Sequence, residues 1–129
     1  MPVIWERRIR YLRDRLNERN LKVGYMPLNQ VLRNCKKILS DYYGPRFQGL
    51  ILYGSSAHRK TREESDIDLL ILLKRPVNYF KELRRLTELL YPLQLDCKQL
   101  ISAKPADAVA FKKGQIQLYR NAKREGWFV

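Results

Sequence analysis

The sequence contains little of what characterises secreted or membrane-bound proteins. It has two cysteines, Cys35 and Cys97, and each lies in an apolar segment without a paired motif. We therefore expect buried, reduced thiols rather than a disulfide or a metal site. No apolar run approaches the roughly 20 residues that span a bilayer, and the first residues lack the apolar segment of a secretory signal. These absences predict a cytoplasmic protein without a membrane partner.

Acidic residues are also scarce, and this gives the chain a strongly positive charge. There are 13 Asp and Glu residues against 26 Lys and Arg, for a formal net charge of +13. Such a charge attracts nucleotides, nucleic acid or an acidic protein surface, and it does not distinguish among them. The basic residues are spread along the chain, and solvated helix faces explain many of them equally well.

The remaining composition is that of one globular domain. The chain has 129 residues, of which 45% are hydrophobic and 30% charged, and this length supports a hydrophobic core. No internal repeat or linker is visible. The helical period over about 3–20 predicts an amphipathic helix at the N-terminus. We therefore expect a single domain, 1–129, with an N-terminal helical extension (1–26) and a core (27–129).

Within the core, the apolar pattern predicts helices and strands in mixed order. The predicted helices cover about 28–43, 78–90 and most of the chain after Pro105, with an interruption at Gly114. The predicted strands are Phe47 to Tyr53, Asp66 to Leu73 and Leu93 to Ile101. Pro92 is expected to end the second of these helices. The expected fold class is α/β (α+β), with a small mixed central sheet of three to four strands flanked by helices.

One segment between the first two strands contains the residues with the clearest chemistry. It runs LILYGSSAHRKTREESDIDLLILL from Leu50 to Leu73. Alternate side chains of a strand share a face, so Asp66 and Asp68 should project together, about 7 Å apart. Two carboxylates at the end of a buried strand need a compensating charge. A hard cation such as Mg²⁺, bound together with substrate phosphates, supplies that charge. The residues therefore predict a metal site for phosphate chemistry.

The same segment resembles a known family signature. Tyr53-Gly54-Ser55, ten intervening residues and then Asp66-Ile67-Asp68 is similar to the motif of the DNA polymerase beta-like nucleotidyltransferase superfamily. The closest resemblance is to its minimal nucleotidyltransferases, small proteins often encoded beside a helical partner in prokaryotic toxin–antitoxin pairs. Ser65 and the C-terminal run LYRNAKREG fit the same pattern. The resemblance covers about 28–126 and implies the nucleotidyltransferase fold, here with an extra N-terminal helix.

The resemblance implies roles for the acidic residues. Asp66 and Asp68 would be shared ligands of two Mg²⁺ ions, with Mn²⁺ as a substitute. Two such ions stabilise the attacking and the leaving oxygens together. Asp96 would supply a third carboxylate from the strand predicted beside them, and it would hold the metal nearest the acceptor.

Nucleotide binding is expected at the bend. Gly54 has no Cβ and lets the backbone approach phosphate closely. The phosphate-binding candidates in the loop are Ser55, Ser56, Arg59 and Ser65. Arg59 stands where family members commonly have glycine, which bears on loop shape and nucleotide affinity, and it is explained equally well as a solvated loop charge. His58 is interpreted as a surface residue.

Two classes of function follow. The first is magnesium-dependent transfer of a nucleoside monophosphate, foremost AMP from ATP, to a hydroxyl; the resemblance suggests a tyrosine of a helical toxin partner, with this chain as the antitoxin. A small-molecule acceptor, such as an aminoglycoside-like antibiotic, usually requires a further helical domain, for which the chain has little room. The second class is a non-catalytic module that masks a protein partner or binds RNA through its basic surface. The sequence predicts no oligomeric state.

Overall fold

The computed structural model describes residues 26–54 and 66–129. The predicted helix over 3–20 and the N-terminal extension lie outside these residues, apart from Met26. The helices are α1 (Leu28–Tyr43), α2 (Tyr79–Gln94), α3 (Ala108–Lys113) and α4 (Gln117–Glu125). The strands are β1 (Phe47–Tyr53), β2 (Ile67–Leu73), β3 (Ile101–Asp107) and β4 (Trp127–Phe128). None of the helices in residues 26–54 and 66–129 has the length and hydropathy of a membrane-spanning segment.

The strands form one mixed sheet with the order β3-β2-β1-β4. Strand β1 is antiparallel to β2 and to β4, whereas β2 and β3 run parallel. Strand β2 is apolar on both sides, as expected for a strand with a neighbour at each edge and packing on each face. The predicted fold class, a small mixed sheet flanked by helices, is confirmed.

The first helix and the first strand have the predicted bounds. In α1, the spacing of Val31, Cys35 and Leu39 forms one stripe that is at most 1% exposed. The helix ends at Gly44, whose φ of 55° is favourable for glycine and whose N–H donates to the Ser40 carbonyl. Strand β1 follows after one tighter helical turn.

Helix α2 continues past the predicted end at Leu90. Its N-cap is Asn78, whose side chain accepts a hydrogen bond from the Lys81 N–H at 3.2 Å. Pro92 lies inside the helix and, like Leu93, is buried. Burial of the last turn holds it helical although proline removes one backbone donor. The prediction that Pro92 ends the helix is therefore wrong.

The third strand also differs from the prediction. The predicted strand, Leu93 to Ile101, begins inside α2 and continues through a turn, and the actual β3 begins at Ile101. Residues after Pro105, predicted as helical, complete this strand before α3 begins. Proline is tolerated because β3 is an edge strand, where a missing N–H need not interrupt a ladder.

Two hydrophobic clusters lie on opposite faces of the sheet. On the face covered by α1 and α2, the α1/α2 face, the cluster includes Leu39, Leu69 and Leu86. On the face covered by α3 and α4, the α3/α4 face, it includes Leu70 and Phe111.

The two cysteines belong to the cluster on the α1/α2 face. Cys35 and Cys97 are both buried and no disulfide joins them, which agrees with the predicted buried thiols. Burial, and secondarily the charge of Cys97, raises the pKa of the Cys35 thiol to about 12. A thiol with so high a pKa is a packing residue rather than a nucleophile.

Candidate active site

The predicted pair of carboxylates lies where β2 begins. Asp66 precedes the strand and is exposed, and Asp68 is partly buried within it. Ile67, between them, is completely buried in the cluster of the α1/α2 face. Side chains alternate along a strand, so Asp68 shares the α3/α4 face with Leu70. The strand therefore presents its carboxylate on the more thinly covered side of the sheet.

The electrostatics of Asp68 favour a bound cation. Burial raises the pKa of Asp68, the neighbouring charge of Asp66 raises it further, and Lys104 on β3 lowers it. Both effects that raise the pKa mean that the ionised carboxylate lacks sufficient positive charge around it. A cation between the two carboxylates would supply that charge.

Gly54 shows why a residue without a Cβ is required beside Asp68. Its φ of 72° lies in the left-handed region that disfavours other residues. A Cβ at this position would overlap the Asp68 carboxylate, with the Cγ atom at 3.2 Å and an oxygen closer still. Glycine is therefore needed for the turn and for the space that Asp68 occupies. The expected approach of this backbone to phosphate stays a prediction.

Tyr53 is a candidate site residue to which the sequence reasoning assigned no role. It lies directly opposite Asp68 in the antiparallel pair of β1 and β2. Its hydroxyl is buried and has no hydrogen-bond partner within the described residues. Burial, followed by the charges of Asp68 and Tyr79, raises its pKa to about 12. A buried hydroxyl without a partner beside a carboxylate is a suitable donor for an oxygen of a bound ligand.

Lys104 and Ser102 were also not recognised from the sequence. Both lie on β3, where Ser102 pairs with Asp68 and Lys104 with Leu70. They were missed because the third strand was predicted too early in the chain. A signal for them was available in the alternation of side chains along a strand. Had β3 been located correctly, its register with β2 would have placed Ser102 and Lys104 on the same face as Asp68.

Asp96 is not on a strand beside β2, so that prediction is wrong. It lies in the turn after α2, where its N–H donates to the Leu93 carbonyl at 3.1 Å. Its neighbours Leu93 and Cys97 pack on the α1/α2 face, opposite to the face of Asp68. The apolar pattern around Asp96 is satisfied by the last turn of α2 and its packing. Its role as a metal ligand stays a prediction.

The remaining predicted residues lie outside the described part of the chain. These are the phosphate-binding candidates Ser55, Ser56, Arg59 and Ser65. Within residues 26–54 and 66–129, no group of three or more His, Cys, Asp or Glu side chains is placed to hold a metal ion. The structure thus brings Asp66, Asp68 and Gly54 together, and it places Tyr53 and Lys104 beside them.

This donor set fits a hard divalent cation. Mg²⁺ usually takes one or two carboxylates and completes its shell with water and substrate phosphate oxygens. Asp66 and Asp68 would hold such an ion, and its charge would stabilise the ionised carboxylate of Asp68, whose pKa is raised by burial and by Asp66. The site suits phosphate chemistry better than a closed structural metal site, which needs more protein ligands.

Comparison with known proteins agrees with this geometry. The family model described as "Polymerase beta, Nucleotidyltransferase" matches residues 33–128, which is most of the chain. A protein of Methanocaldococcus jannaschii, named "Putative protein adenylyltransferase", is 35% identical over 54 residues. That match covers 42% of this chain and 53% of the relative, so this chain spans about half the relative's length. The chain belongs to the polymerase beta-type nucleotidyltransferase family, whose enzymes transfer nucleoside monophosphates.

Proposed function

We propose that this protein is a magnesium-dependent adenylyltransferase that transfers AMP from ATP to a hydroxyl acceptor, foremost a tyrosine of a protein partner. The observation that carries the proposal is the pair Asp66 and Asp68 at the start of β2, with Gly54 adjacent. Enzymes of this family generally use divalent metals. The similarity to a protein named as an adenylyltransferase supports AMP and a protein acceptor.

The proposed reaction exchanges the phosphoanhydride bond between the α- and β-phosphates of ATP for a phosphodiester bond to the acceptor. The acceptor oxygen forms a bond to the α-phosphorus of ATP, the bond to the β-phosphate oxygen breaks, and pyrophosphate leaves with that electron pair. The acceptor hydroxyl releases its proton to water. Catalysis of such transfers consists mainly of positioning and charge neutralisation. When bound, Mg²⁺ supplies charge for the attacking and leaving oxygens.

The residues of the site divide this work among them. Asp66 and Asp68 would hold the metal, and Asp68 must be ionised to do so. Gly54 keeps the Asp68 carboxylate in its place, because any Cβ would displace it. Lys104, whose charge acts on Asp68, would add positive charge for the triphosphate. The buried Tyr53 hydroxyl would donate to a ligand oxygen.

The partner follows from the resemblance to minimal nucleotidyltransferases. We propose that this chain acts as an antitoxin in the cytoplasm and neutralises a helical toxin by adenylylating one of its tyrosines. Co-purification with a small helical protein encoded beside it, followed by mass spectrometry of that protein, tests this directly. A mass increase of one AMP on tyrosine is expected.

The transfer itself is tested with labelled ATP, Mg²⁺ and the partner. Label at the α-phosphate should enter the partner, and label at the γ-phosphate should not. Asp66→Asn with Asp68→Asn should reduce labelling by at least about 100-fold, because the charge that neutralises the transition state is lost. Asp41→Asn, an exposed carboxylate on α1, is the matched control and should label normally.

The results of these experiments test the proposed metal ligands, the pair Asp66 and Asp68 separately from Asp96. Unchanged labelling in the double variant, with a normal melting temperature, contradicts the metal assignment. Chelation of the metal should abolish labelling by the wild-type protein. Asp96→Asn tests the third carboxylate separately, since wild-type rates in that variant would exclude it as a ligand.

The net charge of +13 favours a second candidate function, in which the protein masks a partner without catalysis. Protection against the partner would then be equal with and without ATP and Mg²⁺. Under the adenylyl-transfer proposal, protection requires both. The double carboxylate variant gives the same discrimination, because a masking protein would keep its effect.

A further inference from the structure

We propose that a basic groove between α3 and α4 binds the phosphodiester backbone of a nucleic acid. The groove has a volume of about 380 Å³. The residues that line this groove, the α3–α4 groove, are Lys113, Gly114, Arg120, Lys123 and Arg124. None of them belongs to the candidate active site. The proposed binding is therefore additional to nucleotidyl transfer.

The turn between the two helices fixes the positions of two of these cations. Gly114 has a φ of 64° and allows the chain to turn sharply after α3. The guanidinium of Arg120 donates to the Gly114 carbonyl and to the Gln117 side chain, at 2.8 Å each. The ammonium of Lys123 donates to the Lys112 carbonyl at 2.8 Å. Cations that are already held in place lose less conformational freedom when they bind an anion.

The positive charge of the groove is largely uncompensated. Arg120 and Lys123 bond to neutral oxygens, so their charges remain available. Within the described residues, Arg124 of the groove forms an ion pair with the Glu125 carboxylate at 3.6 Å. Both side chains of that pair are about half exposed or more, and such pairs contribute little.

The simpler explanation of basic residues at helix ends accounts for only part of the groove. Lys113 lies in the last turn of α3, and Lys123 and Arg124 lie in the last turn of α4, where cations favour the helix dipole. Arg120 lies in the middle of α4 and faces the same groove. The helix dipole explains cations at the end of each helix. It does not explain why cations from both helices face the same groove.

The composition of the groove favours nucleic acid over an acidic protein. Its lining consists of four cationic side chains and one glycine, with no aromatic or aliphatic residue. The centre of a protein–protein interface is enriched in aromatic residues and depleted in lysine. Protein–nucleic acid interfaces are more polar and much more positive. Without aromatic side chains for base stacking, binding should depend on the backbone and tolerate any sequence.

The test is fluorescence anisotropy with a short labelled single-stranded RNA, a DNA of the same sequence and an acidic peptide of equal charge. Neither ATP nor Mg²⁺ is present, so failure of the adenylyl-transfer proposal leaves this test intact. The groove variant combines Lys113→Glu and Arg124→Glu, which spares the bonds of Arg120 and Lys123. The control combines Lys81→Glu and Arg84→Glu on α2, which changes the net charge equally elsewhere.

We expect the groove variant to bind RNA and DNA about tenfold more weakly, and the control about twofold or less. The slope of log K against log salt should fall by about 0.7 for each lost phosphate contact. Whichever of the RNA and the DNA binds more tightly is the preferred source of the phosphodiester. Should the charge-reversed variant unfold, Lys113→Gln with Arg124→Gln replaces it, with an expected loss of about threefold.

Two results would overturn the proposal. Equal weakening by the groove and control variants would show that net charge, and not this groove, attracts nucleic acid. Binding of the acidic peptide as tightly as RNA, with the same loss in the groove variant, would make the groove a docking site for an acidic protein instead.

Discussion

The two faces of the sheet differ in how they are covered and in what they carry. The α1/α2 face lies under two helices of 16 residues each, and the α3/α4 face under helices of 6 and 9 residues. In the described part of the chain, the first face buries a cluster of 14 residues and the second a cluster of 6. The candidate active site lies on the second face.

This difference places the larger hydrophobic cluster on one face of the sheet and the candidate active site on the other. A carboxylate that holds a metal and a substrate must remain reachable, and a thickly covered face would leave it dehydrated without a partner. The thinner α3/α4 face leaves Asp68 partly buried and Asp66 exposed. We infer that the α1/α2 face contributes most of the folding free energy and so permits this arrangement.

The largest expected effect is on the α1/α2 face. Leu86→Ala removes a fully buried side chain of α2 and should destabilise the protein by about 2–5 kcal/mol. Leu118→Ala on α4, where the side chain is only partly buried, should cost about 1 kcal/mol. Urea denaturation of both variants measures the difference. Equal losses would break the proposed division between the two faces.

The next prediction compares two glycines with similar φ angles. Gly54→Ala should cost about 1–2 kcal/mol in stability because its φ is left-handed. Its Cβ also displaces the Asp68 carboxylate, so activity should fall by at least about tenfold. The control is Gly44→Ala. Gly44 has a φ of 55°, and a Cβ added there meets no atom within 4 Å. This variant should lose similar stability and no activity.

The third prediction concerns the pH dependence of Asp68. Its folded-state pKa is raised, so its contribution favours folding below its ordinary pKa and is lost as the pH rises through the folded pKa. In metal-free buffer, Asp68→Asn should therefore become more stable relative to wild type across that window, while transfer activity is lost. Thermal melts at several pH values measure this. A constant difference at all pH values would contradict it.

The smallest expected effect is that of Asp107, whose pKa is lowered in the folded state, whereas that of Asp68 is raised. Partial burial tends to raise the pKa of Asp107, but bonds from the Ala110 N–H, Arg75 and the Val109 N–H outweigh it and lower the pKa. Its contribution to stability is present above the ordinary pKa and is lost as the pH falls through the lowered one. Asp107→Asn should cost about 0.5–1 kcal/mol at neutral pH, mainly through the exposed pair with Arg75. The same melts should show this cost vanish in acid, with activity unchanged.

The elements that were predicted correctly have strong local patterns. Helix α1 has a regular apolar stripe and a glycine stop, and β1 is a short apolar run between turns. The pair Asp66 and Asp68 followed from alternation alone. Family membership was predicted from the Gly54-Ser55 bend and the spacing to these aspartates, and the match over residues 33–128 confirms it.

The errors concern elements whose existence depends on distant partners. Strand β3 has the sequence ISAKPAD, with little apolar character, and it is a strand because it pairs with β2 along its whole length. Strand β4 has two residues and exists through its bonds to β1. Pro92 remains helical because the last turn of α2 is buried. Each outcome is set by tertiary contacts that outweigh local preference.

The sequence by itself determined that Asp66 and Asp68 lie on one face, because residues two apart in a strand share a face wherever that strand lies. It also determined the turn, because Gly54 is the residue that tolerates a left-handed φ. Only the tertiary structure decided which side chains surround that pair. Strand pairing is a long-range event, so the positions of Tyr53 and Lys104 beside Asp68, and of Asp96 away from its predicted strand, required the folded sheet.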